Sequence, residues 1–135
     1  MKNTNIVLYA DDDMDDKLWV TDACKAINSS LEIRFLENGK NVFQYLDHAT
    51  DGNFPSLIVL DLNMPEMDGR QTLKAVKSNP RYKDIPVAIV TTSSNPIDKE
   101  ICRRLGASIF LIKPNTHAEW QGIVRELEPF VRKRH

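Results

Sequence analysis

The sequence predicts an α/β fold in which five parallel strands alternate with five helices, (βα)5, in one doubly wound sheet. Four short runs of apolar, largely β-branched residues lie at 6–10, 57–60, 87–90 and 109–112, each bounded by polar or turn residues. Segments with apolar residues at helical spacing separate these runs. Such an alternation is typical of a parallel sheet with helices on both faces.

The order of the strands follows from how each run is covered and from the handedness of the connections. The four continuously apolar runs are typical of strands covered on both faces, whereas 31–36 alternates apolar and polar residues, as an edge strand does. Right-handed crossovers then make the sheet doubly wound. For five strands this predicts the order 2-1-3-4-5 of flavodoxin-like folds, with the ligand site where strands 1 and 3 end.

Local signals mark the ends of the predicted helices. Asn79 ends the third helix, because the residue before a proline avoids the helical conformation. Asn95 caps the fourth helix with Pro96 at its first position, and Gly106 ends it. The helices are predicted over 14–28, 40–47, 68–78, 95–105 and 116–128, with these residues facing the sheet: Val20, Ala23, Cys24, Ile27, Val42, Phe43, Leu46, Leu73, Val76, Trp120, Ile123, Val124 and Leu127.

The last helix carries a local signal at each of its ends. Thr116 and Glu119 have the spacing of a capping box. Pro129 is expected to kink or end the helix, so that the basic residues at 132–134 fray.

Length and composition favour a single domain over residues 1–135. The chain of 135 residues is long enough for one core, and no linker or repeat divides it. No apolar run approaches the ~20 residues of a membrane span, and the short apolar stretch at the N-terminus breaks into acids, unlike a signal peptide. Cys24 and Cys102 are too few for a disulfide framework and lack zinc-site spacing. A cytoplasmic domain without membrane contact is expected.

The charges are unevenly spread along the chain. The net charge is −1, but residues 1–68 hold 5 basic and 13 acidic residues, and residues 69–135 hold 13 basic and 6 acidic residues. The basic residues are scattered, and cations at the end of a last helix also suit its dipole. No nucleic-acid partner is therefore expected.

Aspartates follow two neighbouring strands of the predicted sheet. Asp11 and Asp12 come directly after strand 1, and Asp61 follows strand 3, so the three are expected to converge in one crevice. Two unit charges 4 Å apart repel by ~4 kcal/mol at an effective dielectric of about 20. Such a cluster therefore either holds protons or binds a cation, and oxygen ligands without His or Cys favour Mg²⁺.

A charged helix start is the alternative interpretation of the acids after strand 1, since acids suit the positive end of the helix dipole. That interpretation explains Asp13, Asp15 and Asp16. It does not explain Asp61, which closes an apolar strand.

Two further polar residues end strands at the same edge of the sheet. Thr91 follows the run 87–90, and Lys113 follows the run 109–112. A hydroxyl, an ammonium and Mg²⁺ around a carboxylate suit the charge that develops in phosphoryl transfer. Asp61 is then the predicted nucleophile, since aspartyl phosphates are an established form of covalent catalysis.

With acids, a hydroxyl and a lysine at these strand ends, the sequence resembles the receiver domain of bacterial two-component response regulators. The matching segments are IVLYADDD at 6–13, LIVLDLNMPEMDG at 57–69, IPVAIVTT at 85–92 and GASIFLIKP at 106–114. They occur in the order and spacing of the family and cover nearly the whole chain. The run at 91–96 is most similar to stand-alone, chemotaxis-regulator-like receivers.

The resemblance implies a signalling switch of a phosphorelay and not a conventional enzyme. Asp61 would accept a phosphoryl group from a sensor histidine kinase or a phosphotransfer protein. Asp11, Asp12 and Asp61 would bind Mg²⁺ together with the backbone carbonyl of Asn63.

The resemblance also implies the contacts that transmit phosphorylation. Thr91 and Lys113 would meet the phosphoryl oxygens, Thr91 and Phe110 would form the switch, and the peptide bond before Pro114 would be cis. Two residues depart from the family pattern. Thr92 stands where a small residue is common and would restrict access to the phosphoryl group, and Phe110 lacks the hydroxyl of a tyrosine, so that switching relies on packing.

Two other classes of function remain open. A haloacid-dehalogenase-like phosphatase also uses a strand-end aspartate and Mg²⁺, but it needs a second acid where this chain has Asn63. The second class is an interaction module that has lost phosphate chemistry. Such a module would not need the acids, the hydroxyl and the lysine that this chain has at its strand ends.

The expected output is contact with another molecule, since the last helix nearly completes the fold before residue 135 and leaves no room for an output domain. A downstream protein, or a second copy of the chain in a homodimer, is expected to dock on residues 95–128. That segment carries the basic residues Lys99, Arg103, Arg104 and Arg125.

Overall fold

Five parallel strands form one sheet in the order β2-β1-β3-β4-β5, and a helix follows each strand. The structure, a computed structural model, describes residues 5–50 and 53–131. The predicted fold class and strand order are confirmed. The elements are β1 (Ile6–Ala10), α1 (Met14–Ala26), β2 (Glu32–Leu36), α2 (Gly39–His48), β3 (Leu57–Leu60), α3 (Gly69–Ser78), β4 (Val87–Thr91), α4 (Pro96–Arg104), β5 (Ile109–Ile112) and α5 (His117–Val131).

The sheet separates two hydrophobic cores, because successive residues of a strand point to opposite faces. Leu8 of β1 faces a core formed with α2, α3 and α4, and Tyr9 faces a core formed with α1 and α5. Of the residues predicted to face the sheet, Cys24, Ile27 and Phe43 are half-buried and the others are buried. The periodicity of the sequence therefore identifies the inner face of each helix.

The helix ends follow the predicted signals in most cases. Asn95 accepts a hydrogen bond from the Ile97 N–H at 2.9 Å, with Pro96 in the first turn. Gly106 has a φ of 107°, a left-handed conformation that glycine adopts without strain. The Thr116 hydroxyl accepts from the Glu119 N–H at 3.3 Å at the start of α5.

Helix α1 ends earlier than predicted, at Ala26 instead of residue 28. Asn28 has a φ of 53°, and the N–H of Ser29 donates to the carbonyl of Cys24 at 2.9 Å. A left-handed residue with this bond across it ends a helix in a Schellman motif. An asparagine takes the position here that a glycine takes more often.

Tertiary packing overrides two other expectations. Helix α5 continues through Pro129 to Val131, because Val131 is buried against the α1 and α5 core and the proline removes only one hydrogen bond from the last turn. The basic residues at 132–134 lie outside the described residues. Strand β5 is only partly covered, and Ile112 is 50% exposed, because β5 is an edge strand.

None of the helices formed by the described residues combines the length and the apolar character needed to cross a bilayer.

Candidate functional site

The predicted site residues lie at the carboxyl edge of the sheet, where backbone hydrogen bonds continue past the strands. The N–H of Asp61 donates to the carbonyl of Ala10 at 3.1 Å, and the N–H of Lys113 donates to the carbonyl of Thr91 at 2.7 Å. These two bonds extend the pairing by one residue beyond β3 and β5. The register of the sheet therefore fixes where the Asp61 and Lys113 side chains begin.

The ammonium of Lys113 stands among three carboxylates. Its Nζ is 2.8 Å from Oδ2 of Asp11 and 3.0 Å from Oδ2 of Asp61, and it also contacts Oδ2 of Asp16. All four side chains are at most 10% exposed. One positive charge among three acids leaves an excess of negative charge in a buried crevice. We call Asp11, Asp16, Asp61 and Lys113 the acidic crevice.

Burial and neighbouring charges alter the pKa of two of these groups. Burial raises the pKa of Asp11 to about 7, although the Lys113 ammonium and the N–H of Asp13 act against the rise. Burial alone would lower the pKa of Lys113, but hydrogen bonds to Asp11 and Asp16 outweigh it and raise that pKa above its ordinary value. The ammonium therefore stays charged at neutral pH.

The other predicted site residues surround the acidic crevice. Asp12 is exposed, and among the described residues it makes no ion pair with Lys113. Asn63 is also exposed, and its N–H donates to Oδ1 of Asp61 at 3.4 Å. Thr91 is fully buried, and its hydroxyl oxygen accepts from the N–H of Ser93 at 3.4 Å. The structure thus brings Asp11 together with Asp61 and Lys113, and leaves Asp12 at the rim.

Phe110 is half-buried on β5 and packs against the core formed with α2, α3 and α4. It also lines a cavity of about 280 Å³, together with Lys99 and Arg103 of α4.

The peptide bond between Lys113 and Pro114 is trans, as are all the described peptide bonds, so the cis bond implied by the resemblance is wrong for this structure. A trans bond before proline is favoured by about 0.5–1 kcal/mol.

Asp16 belongs to the acidic crevice but was predicted only as part of a charged helix start. The charged helix start explains Asp13, which caps α1 by accepting from the N–H groups of Asp15 and Asp16. Asp16 itself is 7% exposed and faces the sheet on the same side of α1 as Val20 and Ala23. Its spacing of four and seven residues from those apolar positions is the signal that identifies it as an inward acid.

The crevice suits a hard divalent cation. Oδ2 of Asp11 and Oδ2 of Asp16 are buried, and the Lys113 ammonium contacts both. Buried acceptor oxygens with excess negative charge match the ligand preference of Mg²⁺ and Mn²⁺. Within residues 5–50 and 53–131, no three His, Cys, Asp or Glu side chains are already spaced as ligands of one ion. Cation binding therefore requires a rearrangement around Lys113.

Gly69, the first residue of α3, allows the loop after Asp61 to pack closely. A Cβ at this position would lie 2.3 Å from the carbonyl oxygen of Asp61 and 2.8 Å from Cα of Leu62. The N–H of Gly69 also donates to the carbonyl of Leu62 at 3.2 Å. A side chain at Gly69 would displace the backbone that carries Asp61.

Gly69→Ala is expected to lower the free energy of unfolding by about 1–3 kcal/mol, the usual cost of an overpacked site. Gly122→Ala is the matched control, since a Cβ there meets nothing within 4 Å on α5 and alanine favours a helix by about 1 kcal/mol. Urea denaturation of the two variants measures both effects. Equal stability of Gly69→Ala and the wild type would contradict the close approach.

Comparison with known proteins identifies the family. The family model described as "Response regulator receiver domain" matches residues 7–125. "Response regulator Rcp1" of Synechocystis sp. is 31% identical over 128 residues, which are 93% of this chain and 87% of Rcp1.

Solved structures of receiver domains superpose on the whole fold. The Mn²⁺-bound form of Rcp1 has a TM-score of 0.81 at 29% identity and covers 96% of each chain. The phosphorylated cyanobacterial phytochrome response regulator RcpA has a TM-score of 0.82 at 27% identity, covering 97% of this chain and 94% of that one. This chain, with its strand-end acids and lysine in a 2-1-3-4-5 sheet, belongs to the response regulator receiver domain family.

Proposed function

We propose that this receiver domain is a phosphorylation-dependent switch of two-component signalling, which accepts a phosphoryl group on Asp61 from a histidine kinase or phosphotransfer protein. The observation that carries the proposal is the buried Asp61 carboxylate with the Lys113 ammonium 3.0 Å away. An aspartate carboxylate can act as a nucleophile toward phosphorus, and a fixed ammonium beside it stabilises charge on the incoming phosphoryl oxygens. The domain acts as its own acceptor and not as a conventional enzyme.

The chemical step joins Asp61 to the donor phosphorus. A carboxylate oxygen of Asp61 forms the P–O bond while the P–N bond of a donor phosphohistidine breaks, and the imidazole nitrogen keeps the electron pair of that bond. Lys113 faces the phosphoryl oxygens, and the buried Thr91 lies at the end of the neighbouring strand β4. The low exposure of the crevice strengthens these charge interactions.

Mg²⁺ is proposed as the metal of this site. Asp11 and Asp61, together with the adjacent Asp12 and the backbone carbonyl of Asn63, would hold it, and bound Mg²⁺ supplies positive charge for the phosphoryl oxygens. The Mn²⁺-bound form of Rcp1 and the phosphorylated RcpA support a divalent cation and a phosphoryl group in relatives of this fold.

Asp12→Ala is expected to weaken Mg²⁺ binding by the unphosphorylated protein. Because only the folded chain assembles the carboxylates, Mg²⁺ should raise the melting temperature of the wild type by mass action. The rise should shrink in Asp12→Ala and persist in Asp15→Ala, which removes the same charge from an exposed position on α1. A full rise in Asp12→Ala, measured by thermal melts across a MgCl₂ series, would remove Asp12 from the metal site.

The stoichiometry of phosphorylation tests the proposed function. Incubation of the full chain with acetyl phosphate and Mg²⁺ should add one phosphoryl group per chain, seen by intact-mass spectrometry, and EDTA should prevent the addition. A phosphatase would instead release phosphate from esters over many turnovers, for which Asn63 supplies no general acid. An unlabelled chain would favour the inert interaction module.

Residues 1–135 are proposed to form one receiver domain that works in the cytoplasm. All the described strands belong to one sheet. Cys24 and Cys102 are free thiols, the state that cysteines keep in a reducing compartment.

The proposed output surface is the face of α4, β5 and α5 within residues 95–128. Lys99, Arg103, Arg104 and Arg125 are exposed there, although Glu100 pairs with Arg103 and Arg104. An acidic or amphipathic protein, or a second copy of this chain, would dock on such a face. Thr91 would move toward the phosphoryl oxygens, and Phe110 would turn inward to fill the space behind it.

Phe110→Ala is expected to uncouple this face from the acidic crevice. Chemical shifts of α4 and β5 should change in the wild type on addition of beryllofluoride and Mg²⁺, and should change much less in the variant, since alanine cannot fill the space vacated by Thr91. Ile112→Ala, on the exposed end of the same strand, is the control and should respond as the wild type does. Equal responses of Phe110→Ala and the wild type would exclude Phe110 from the switch.

A further inference from the structure

The third carboxylate around Lys113, Asp16, has no role in the proposed chemistry. Asp15, in the same turn of α1, is exposed, whereas Asp16 is buried and contacts the Lys113 ammonium. Asp13 already caps the helix. Neither capping nor the helix dipole therefore requires an acid at position 16 to face the sheet.

Asp16 approaches Lys113 from a different element than the other two acids. Asp11 and Asp61 follow strands β1 and β3, while Asp16 lies on α1, which packs on one face of the sheet. Oδ2 of Asp16 is buried, and the Lys113 ammonium that contacts it is its compensating charge. A buried carboxylate is stable only when such a charge is paired with it.

Two of the three carboxylates that contact Lys113 are also proposed ligands of the metal ion. Asp11 and Asp61 are the residues proposed to hold Mg²⁺, and a divalent cation there would repel the ammonium that now contacts both. Asp16 is the carboxylate that remains for Lys113. Without it, the flexible lysine side chain would leave the crevice when the cation binds.

We propose that Asp16 is a positioning residue that keeps the Lys113 ammonium beside Asp61 while Mg²⁺ occupies the carboxylates of Asp11 and Asp61. The inference rests on the proposed function for the place of the cation. It extends that function by giving α1 a part in the phosphoryl site. Loss of an outer partner that orients the ligands of a metal site commonly costs 10–100-fold in affinity or activity, and we expect an effect of that order for Asp16.

NMR of the Lys113 side chain in the full-length protein tests the proposal. The two Hε protons of a lysine give separate signals when the side chain is held in one orientation, and one averaged signal when it rotates freely. The wild type, Asp16→Asn, Asp16→Glu and the control Asp15→Asn are compared with and without MgCl₂, the Lys113 signals being assigned from Lys113→Arg.

Separate Hε signals are expected in all four proteins without Mg²⁺, because Asp11 and Asp61 still hold the ammonium. With Mg²⁺, the signals should merge in Asp16→Asn and stay separate in the other three proteins. Separate signals in Asp16→Asn with Mg²⁺, or merged signals in the wild type with Mg²⁺, would overturn the proposal. Asp16→Ser provides the same comparison if the asparagine variant loses its fold.

Phosphorylation kinetics provide the second measurement. At saturating Mg²⁺, Asp16→Asn should react with acetyl phosphate about tenfold more slowly than the wild type, the lower end for an orienting partner. Asp16→Glu should recover part of the rate, and Asp15→Asn should match the wild type. A wild-type rate in Asp16→Asn would overturn the proposal. A wild type that is not phosphorylated would overturn the proposed function, and the NMR comparison would still decide the role of Asp16.

Discussion

Asp61→Asn is expected to abolish phosphorylation of the chain while leaving the fold intact. The asparagine amide has nearly the shape of the carboxylate but lacks a nucleophilic oxygen, so no acyl phosphate can form. Removing one carboxylate from the acidic crevice also relieves repulsion between like charges, and the metal-free variant should be slightly more stable than the wild type. Intact-mass spectrometry after incubation with acetyl phosphate and Mg²⁺ measures the first effect, and urea denaturation the second.

The matched control is Asp84→Asn, the same change at an exposed aspartate before β4, at the opposite edge of the sheet. This variant should be phosphorylated to the wild-type extent. Phosphorylation of Asp61→Asn at an aspartate, to the extent of the wild type, would mean that another residue is the acceptor.

Lys113→Met is expected to affect both stability and phosphorylation. The methionine keeps much of the apolar stem but leaves Asp11, Asp16 and Asp61 without the ammonium that contacts them. Removing one partner of a buried ion pair costs about 3–5 kcal/mol. We expect the lower end, because Asp11, with its pKa raised to about 7, can take up a proton instead. Phosphorylation should slow by about 10²–10³-fold, as on loss of one charge-stabilising group.

Denaturation and phosphorylation of Lys113→Met are compared with those of Lys74→Met, an exposed lysine on α3. Added Mg²⁺ should recover part of the lost stability of Lys113→Met, because the cation replaces the missing positive charge. A Lys113→Met variant as stable and as reactive as Lys74→Met would show that the ammonium does not hold the acidic crevice together.

The sequence was sufficient to predict the sheet and the residues that its register brings together. The carboxyl ends of parallel strands share one edge, so Asp11 and Asp61 after neighbouring strands, and Lys113 after the edge strand β5, had to approach one another. The apolar runs set the strand ends to within one residue. This part of the site follows from the topology together with the reach of the lysine side chain across the sheet edge.

Asp16 was not predicted because its role depends on a contact between distant parts of the chain. An acid in the first turn of a helix suits the dipole whether it is buried or exposed. The contact that gives Asp16 its role is with Lys113, which follows the last strand of the chain. The helical spacing to Val20 and Ala23 predicts that Asp16 faces inward, but it does not reveal the partner that Asp16 meets there.

Packing also explains the elements that differ from the prediction. Continuation of α5 past Pro129 depends on the burial of Val131 against α1, which a local rule for proline does not include. The exposure of Ile112 depends on β5 having a neighbour on one side only. Both are properties of the assembled sheet and not of the segment.

The most direct test of the central claim is the chemical identification of the phosphorylated residue. The wild type is incubated with acetyl phosphate and Mg²⁺ and then reduced with borohydride, which converts an aspartyl phosphate to homoserine. Peptide mass spectrometry should find homoserine at position 61 and at no other aspartate. Homoserine at Asp11, Asp12 or Asp16, with Asp61 unchanged, would contradict the account.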